Sequence, residues 1–334
     1  MNEPTDLVEM DINTLPVPLV SVCVATYNHD QYIENCLLSV LLQTGDFAVE
    51  ILVGNDGNSP ETPQIVERLM QRFPGVIRYY KHPQNLGASR NSQFLVRQAR
   101  GKYIANLDGD DYWLPGKLAA QIAWMEARPD SPACYTNAIA ISDSGRLLGV
   151  FTSVSAREVD LPFMLERGNF LNSSSLFYRT DLRDRILDIG TEFIDYRAHL
   201  LFASLGPLGF DDRVFVAYRV GTTHSMVKTM PEKVSEQYFE AICSVIFEPG
   251  VTDTIRRSAL ASFFSTYLLG AVFYFRFQPA VLWYERIGKK FPKDRFWVLS
   301  LGGRFVFQRL WRFVKRGGER AYASSSRLRV LHER

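Results

Sequence analysis

Asp108, Asp110 and Asp111 place three carboxylates within four consecutive residues. Like charges this close repel one another, and a fold gains from grouping them when a cation shares them. A hard divalent ion, Mg²⁺ or Mn²⁺, takes one or two carboxylates together with phosphate oxygens of a substrate. Such an ion neutralises a departing diphosphate. A solvated turn whose aspartate caps the next helix uses the same residue types. The cluster alone leaves both readings open.

The surrounding pattern says where the cluster sits. Val20 to Thr26 is a short apolar, β-branched run, suited to a strand buried on both faces. Ile33, Cys36, Leu37, Val40 and Leu41 then recur at the spacing of one helical face. Val49 to Val53 reads as a second strand. Thr62-Pro63 reads as a helix start, an N-cap with proline at the first helical position, and Ile65, Val66, Leu69, Met70 and Phe73 form the buried stripe. Val76 to Tyr80, Ser89 to Ala99 and Tyr103 to Leu107 give strand, helix and strand. This alternation implies an α/β fold with a doubly wound, mostly parallel sheet, and such sheets bind ligands beyond the carboxyl ends of their strands. Thr26-Tyr27-Asn28, Asn55-Asp56-Gly57 and Asp108 to Asp111 each follow a strand. No Gly-x-Gly-x-x-Gly follows the first strand, which disfavours a dinucleotide cofactor. After Pro115 a helix with Leu118, Ile122 and Met125 leads to a strand at Cys134 to Ile141. Beyond Met230 the pattern turns helical and aromatic-rich.

Four segments in order, Val20 to Asn28, Asn55-Asp56-Gly57, Asn85 to Asn91 and Leu107 to Asp111, resemble the family 2 inverting glycosyltransferases. The resemblance runs from Leu19 to about Ser225 and implies a GT-A-like, Rossmann-type sheet flanked by helices. It implies that Thr26 and Tyr27, with Asn28 beside them, line the nucleobase pocket, and that Asn55 and Asp56 meet the base or ribose. Gly87 then permits close backbone approach, Arg90 reaches base or phosphates, Asp108 holds ribose or sugar, and Asp110 is the principal metal ligand. The family usually has two adjacent acids where this chain has Asn55-Asp56. An amide oxygen still accepts a hydrogen bond from a base N–H but carries no charge, which leaves the donor nucleotide less defined; uridine diphosphate is the favoured reading.

Transfer with inversion needs a carboxylate to take the proton of the attacking hydroxyl. Thr191 to Tyr196 resembles the family's acceptor-site segment, which makes Asp195 the general base; Glu192, three residues earlier, is its substitute if the segment is helical. A surface acid on an amphipathic helix is the alternative for Asp195. Tyr218-Arg219 and His224-Ser225 resemble a further family element near the diphosphate, with Arg219 on the phosphates and His224 as a neutral nitrogen ligand to the metal. Asn172 to Ser175 would face the acceptor. The expected partners are a nucleotide-sugar donor and a glycan or lipid-linked acceptor, in cell-surface polysaccharide synthesis. Two rivals exist: a sugar-1-phosphate nucleotidyltransferase and a non-catalytic nucleotide- or glycan-binding module on the same fold. The first needs a glycine-rich loop with a basic residue after the first strand, and Thr26 to Asp30 offers neither.

With 46% hydrophobic and 22% charged residues, the 334-residue chain can bury a sizeable core. A net charge of +2 supplies no field for nucleic acid. The basic residues concentrate after Leu301, where Arg304, Arg309, Arg312, Lys315 and Arg316 alternate with Phe305, Trp311 and Phe313. Apolar aromatics beside arginines fit a helix lying on an anionic membrane; packing on its own domain or a second subunit is the alternative. Cys23, Cys36, Cys134 and Cys243 lack metal-ligand spacing and read as reduced cysteines of a cytoplasmic protein, peripheral on the membrane's inner face. The N-terminus lacks a signal-peptide pattern. Ser258 to Phe275, the longest uncharged run, reads as a buried helix rather than a span. The expected organisation is a tail at 1–18, a GT-A domain at 19–228 (nucleotide half 19–112, acceptor half 113–228) and a helical, basic C-terminal region at 229–334.

Overall fold

Strand β1 (Val20–Thr26) is buried on both faces, and it pairs in parallel with β2 (Val49–Asn55) and β4 (Tyr103–Asp108). β2 pairs in parallel with β3 (Ile77–Lys81). Register sets Thr26 beside Asn55 and Ala25 beside Asp108. The polar segments after these strands therefore emerge side by side from one edge of the sheet, the edge at which open α/β sheets bind ligands. The computed structural model describes residues 17–221, 230–322 and 329–332.

Helices α1 (Ile33–Leu41) and α2 (Glu61–Arg72) bury Ile33, Leu37, Val66 and Leu69 against one face, while α3 (Ala88–Gln98) buries Leu95 and Val96 against the other. Then follow β5 (Tyr112–Trp113), α4 (Lys117–Glu126), β6 (Ala133–Ile141), β7 (Leu147–Thr152), β8 (Arg157–Val159), α5 (Leu161–Arg167), β9 (Phe177–Arg179), α6 (Arg183–Leu187), α7 (Asp195–Leu205) and β10 (Leu208–Arg219). β9 lies antiparallel between β4 and β6, and β10 runs parallel to β6. The chain ends in α8 (Pro231–Cys243), α9 (Asp253–Tyr274), α10 (Phe277–Lys290), α11 (Arg295–Tyr322) and β11 (Arg329–His332), which joins the sheet parallel to β7. Phe239, Phe263, Trp283 and Val298 of these helices share one core with Met164, Phe170 and Phe202. Among the described residues no helix is long and apolar enough to cross a membrane.

Two local readings of the sequence are corrected. Helix α2 begins at Glu61 with Pro60 as its cap residue, and Thr62 is inside it. The Thr62 hydroxyl donates instead to Asp30 (2.5 Å), tying α2 to the loop after β1. The run Ser258 to Phe275 is only partly buried: α9 buries Ala259 to Ser265 but exposes Val272 to Phe275. Hydropathy marks such residues as able to be covered, not as covered.

At the opposite edge of the sheet, buried Glu50 accepts from the Ser21 hydroxyl (2.6 Å), the Arg100 N–H (2.9 Å) and the guanidinium groups of Arg100 (3.0 Å) and Arg78 (3.1 Å). It locks β1, β2 and β3 to the entry of β4. Removing one member of a buried ion network strands the others. Glu50→Ala is expected to lower the unfolding free energy by about 3 to 5 kcal/mol in urea denaturation.

Lys117 is fully buried, with Nζ 3.8 Å from the Trp113 ring centre and donating to Gln121 Oε1 (2.7 Å). Gln121 in turn donates to the carbonyls of Ser175 (2.8 Å) and Cys134 (3.3 Å), supporting the Ser173–Ser175 turn beneath the acidic cluster. Burial lowers the Lys117 ammonium to about 7. The unfolded chain then holds one more proton than the folded one between pH 7 and the ordinary lysine value, so this group makes stability rise with pH in that window. The rise is at most about 1.4 kcal/mol per pH unit. Lys117→Met is expected to remove that slope in denaturation curves taken between pH 7 and 9.

Candidate active site

The four polar segments at the sheet edge hold one another. Asp56 accepts from the backbone N–H groups of Leu86 (2.6 Å) and Gly87 (2.8 Å), and its carbonyl accepts from the Asn85 amide (3.2 Å). This draws the 85–87 loop across the end of β2. Gly87 has φ +85° with open space where a side chain would stand, so the loop needs glycine for its backbone rather than for room. Asn55 is buried, its oxygen accepting from Gly57 N–H (2.9 Å) and its amide donating to the Tyr79 hydroxyl (2.8 Å). Both ends are engaged within the protein, and an aspartate here would have to accept from the Tyr79 hydroxyl instead of donating to it. Asn28 adopts φ +55°, a conformation asparagine tolerates better than most residues. Tyr27 and Arg90 are exposed at the mouth.

The three aspartates have different surroundings. Asp111 is buried and accepts from the Ser174 hydroxyl (2.5 Å) and the Arg219 backbone N–H (2.8 Å). Its carboxyl is pushed well up by burial, then by Asp110 and Asp108. It joins β4, the Ser173–Ser175 turn and β10. Asp108 donates its own N–H to Ser174 Oγ (3.1 Å), and its carboxyl is raised to about 7 by burial, then by the charges of Asp110 and Asp195. Asp110 is partly open, its carboxylate 3.9 Å from His29 Nε2. Gly109 makes this packing feasible: a Cβ there would fall 2.7 Å from Thr26 Cβ and 3.0 Å from His29 Nδ1.

Arg219 buttresses Asp110 from behind. Its guanidinium donates to the Asp110 carbonyl (3.0 Å) and to the carbonyls of Ser142 (2.9 Å) and Asp143 (2.7 Å). It also stacks 4.1 Å from the Tyr32 ring centre, and the Tyr32 hydroxyl donates to Asp143. A cavity of about 750 Å³ lies beside Arg219, lined by Tyr32, Asn35, Trp113 and Ser144. Thr26, Asp56, Asp108 and Asp195 do not line it.

Asp195 opens α7. Its Oδ1 accepts from Tyr196 N–H (2.7 Å) and from the Asn169 amide (3.2 Å), and Asn169 turns its oxygen to His199 Nδ1 (3.1 Å). Burial lowers the affinity of His199 for a second proton. Ser89 of α3 donates to the Phe193 carbonyl (2.8 Å), so the helix carrying Arg90 also positions the loop before Asp195. Asp195 stands close enough to Asp108 to raise its carboxyl. Glu192 is drawn elsewhere. It is exposed and paired with Lys233 (2.8 Å), whose hydrogen bond and charge, with a smaller contribution from Arg90, hold its carboxyl low. His224 lies outside the described residues.

Among the described residues no group of three His, Cys, Asp or Glu side chains is placed to hold a metal alone. The donor set still suits Mg²⁺ or Mn²⁺. The Asp110 carboxylate is partly open, and the buried Thr26 Oγ1 beside it has no hydrogen-bond partner among the described residues. These ions draw remaining ligands from water and phosphate.

Residues 21–163 match the sequence model of the Glycosyl transferase family 2. Over that segment the chain is similar to the family 2 glycosyltransferases. An uncharacterised protein of Mycobacterium tuberculosis (strain ATCC 25618 / H37Rv) is 27% identical over 202 residues, 60% of this chain and 58% of the relative. An uncharacterised glycosyltransferase of Methanocaldococcus jannaschii is 33% identical over 141 residues, 42% of this chain and 48% of the relative. The chain thus spans about half the length of these curated relatives. Among solved structures, S. aureus TarS residues 1–349 in complex with UDP-GlcNAc superposes with a TM-score of 0.60 at 21% identity, over 81% of this chain and 80% of that one. Mannosyltransferase PcManGT from Pyrobaculum calidifontis, in complex with GDP-Man and Mn²⁺, gives 0.55 at 15% identity, over 89% and 82%. At these identities the solved structures show the fold, a GT-A-like α/β sheet with a helical C-terminal region.

The sequence alone did not single out His29, Tyr32 and Asn169 as parts of this site. Tyr32 acts through Asp143, 111 residues away, and Asn169 through Asp195 and His199, 26 and 30 residues away. The aspartates are separable by experiment. Asp111→Ala leaves Ser174 and a buried N–H without an acceptor and is expected to lower stability by about 2 kcal/mol. Asp110→Ala relieves repulsion and is expected to leave the urea midpoint unchanged or higher. The reverse order would overturn this division of roles.

Proposed function

We propose that the chain is an inverting, metal-dependent glycosyltransferase that moves a sugar from a nucleoside-diphosphate donor, UDP by preference, to a hydroxyl of a glycan or lipid-linked acceptor during cell-surface polysaccharide synthesis. The observation that carries this reading is the convergence of Asp195, from the start of α7, on Asp108 and Asp110 at the end of β4. One proton acceptor and one diphosphate-binding cluster then face a common space.

Thr26, Tyr27, Asn28 and Asp56 border the nucleoside, with Asn55 and Gly87 shaping the loops around it and Arg90 at the mouth. Asp110 would hold Mn²⁺ or Mg²⁺, with His224 as a further ligand, and Asp108 would bind the ribose or sugar. The bound ion supplies positive charge against the diphosphate oxygens. Asp195 accepts the proton of the acceptor hydroxyl as its oxygen bonds to the anomeric carbon from the face opposite the diphosphate. The bond from that carbon to the diphosphate oxygen breaks in the same displacement, and the pair of electrons leaves with the nucleotide. Asn169 orients the base. Arg219 keeps the Asp110 loop from collapsing when the phosphates arrive, and Glu192 remains at the acceptor rim. The nucleotide sugars and Mn²⁺ bound to TarS and PcManGT support this reading. The reaction belongs at the cytoplasmic face of a membrane, reached through the basic, aromatic C-terminal region, where a lipid-linked acceptor would be found.

Calorimetric titration of UDP and GDP, with and without Mn²⁺, tests the donor site. Binding is expected to require the ion, to vanish in Asp110→Ala and to persist in Asp195→Asn, whose transfer rate should fall by about 10²–10⁴-fold. Silence of the wild-type chain toward both nucleotides would sink the assignment.

A further inference from the structure

The C-terminal helices bury one side of themselves and leave a second apolar surface uncovered. Helix α11 packs on α9 through Val298, Gly302 and Val306, and a Cβ on Gly302 would meet Leu268 and Phe264 at 3.1 and 3.3 Å. About a quarter-turn away, Leu299, Gly303, Phe307 and Trp311 recur every fourth residue, and the three large side chains among them are exposed. That stripe is about 18 Å long at the helical rise. A helix folded only to cover its own domain needs a single apolar face.

The two helices run in the same direction. Asp294, just before α11, pairs with Arg256 and Arg257 near the start of α9, and Gly302 lies beside Phe264 and Leu268. Continuing that register brings Phe307 and Trp311 level with the last turn of α9. There Phe273 and Tyr274 are exposed, and Phe275 and Phe277 form the turn into α10. Phe275 is 80% exposed and adopts φ +55°. A bulky residue in the left-handed region is disfavoured by roughly 1 to 2 kcal/mol, where glycine would terminate the helix without cost. The fold gains nothing from phenylalanine at this position.

Charge specifies what covers this corner. Arg276 interrupts the aromatic turn, and the stretch from Leu299 to Gly318 carries Arg304, Arg309, Arg312, Lys315 and Arg316 without one acidic residue. Exposed aromatics flanked by cations match the interface of an anionic bilayer, where rings enter the acyl boundary and the cations meet headgroup phosphates.

We propose that the turn between α9 and α10, together with the Leu299–Trp311 stripe of α11, inserts into the interfacial layer of an anionic phospholipid bilayer. This rests on, and sharpens, the membrane placement proposed above: it assigns insertion to the α9–α10 turn and one stripe of α11 rather than to the basic, aromatic region as a whole. The corner is tethered to the site, since α11 leads to β11, which pairs with β7, and β7 leaves the Ser142–Gly145 turn that holds Arg219.

Co-sedimentation of the full chain with vesicles of phosphatidylcholine alone and of phosphatidylcholine with phosphatidylglycerol provides the test, with Phe275→Gly, Phe277→Ser and their combination as variants. Phe275→Gly relieves the backbone, so its melting temperature should equal or exceed that of the wild type, which removes misfolding as an explanation. The wild type is expected to bind the anionic vesicles, with a blue-shifted tryptophan emission, and the double variant to bind at least tenfold more weakly while its nucleotide binding is unchanged. Equal binding of wild type and double variant would overturn the aromatic corner but leave the basic membrane attachment standing. Failure of the wild type to bind either vesicle would overturn both, and sedimentation velocity showing a dimer that the variants dissociate would reassign the surface to a second copy of the chain.

Discussion

Three aspartates at one strand end are the constraint around which the site is built. Two of them, Asp108 and Asp111, are buried enough that the charged form is disfavoured, and the charge of Asp110 raises both further. A fold can hold such a group only if neighbouring donors or a cation compensate it. The protein supplies hydrogen-bond donors to Asp111 and leaves the Asp110 carboxylate partly open. Asp111 takes the Ser174 hydroxyl and the Arg219 N–H. Asp110 has no such hydrogen bonds from described side chains and faces His29 across 3.9 Å.

That division explains why distant parts of the chain meet there. Ser174 belongs to a turn supported from below by Gln121, which is itself held by the buried Lys117. Arg219 ends β10, and its guanidinium reaches across to the carbonyls of Asp110, Ser142 and Asp143. The side chain spends its donors on backbone oxygens, so it shapes the loop that presents Asp110. Its planar, delocalised cation also stacks on Tyr32, a geometry lysine could not reproduce. Asp195 is reached through a separate chain of contacts, from Ser89 to Phe193 and from His199 to Asn169. Asp195 and the aspartate cluster are thus positioned by different elements and meet only at the sheet edge.

The parallel half of the sheet was legible because each of its strands is a short apolar run ending in a polar triplet, and parallel register alone brings Thr26, Asn55 and Asp108 together. The functions of individual side chains were less legible. Nothing local distinguishes Asp110 from Asp111; the difference lies in whether Ser174 and Arg219 come near. Asn55 reads as an acid replaced by a weaker acceptor, yet Tyr79 and Gly57 use both ends of its amide. Glu192 reads as a neighbour of Asp195 on one helical face, but helix α7 starts only at Asp195, which leaves Glu192 in the preceding loop beside Lys233. Thr62 has the appearance of an N-cap and serves instead as a long-range tie to Asp30. In each case a non-local partner overrode the local pattern.

The same distinction governs the C-terminal helices, with the opposite consequence. Their periodicity announces apolar faces, and folding covers some of them: Phe239, Phe263 and Trp283 pack as a cluster of aromatic rings against the core shared with the sheet. The residues at the α9–α10 turn have identical hydropathy and receive no such cover. Soluble proteins rarely leave large apolar patches exposed without a partner. Here the uncovered residues sit where the backbone is least favourable for them, in a left-handed conformation at a helix end, and beside arginines rather than the mixed charges of an ordinary surface. Stability of the isolated chain would replace Phe275 with glycine. Under the bilayer insertion proposed above, Phe275 serves a contact made outside the chain, and that contact would bear on where the protein is held, not on the chemistry of the aspartate cluster.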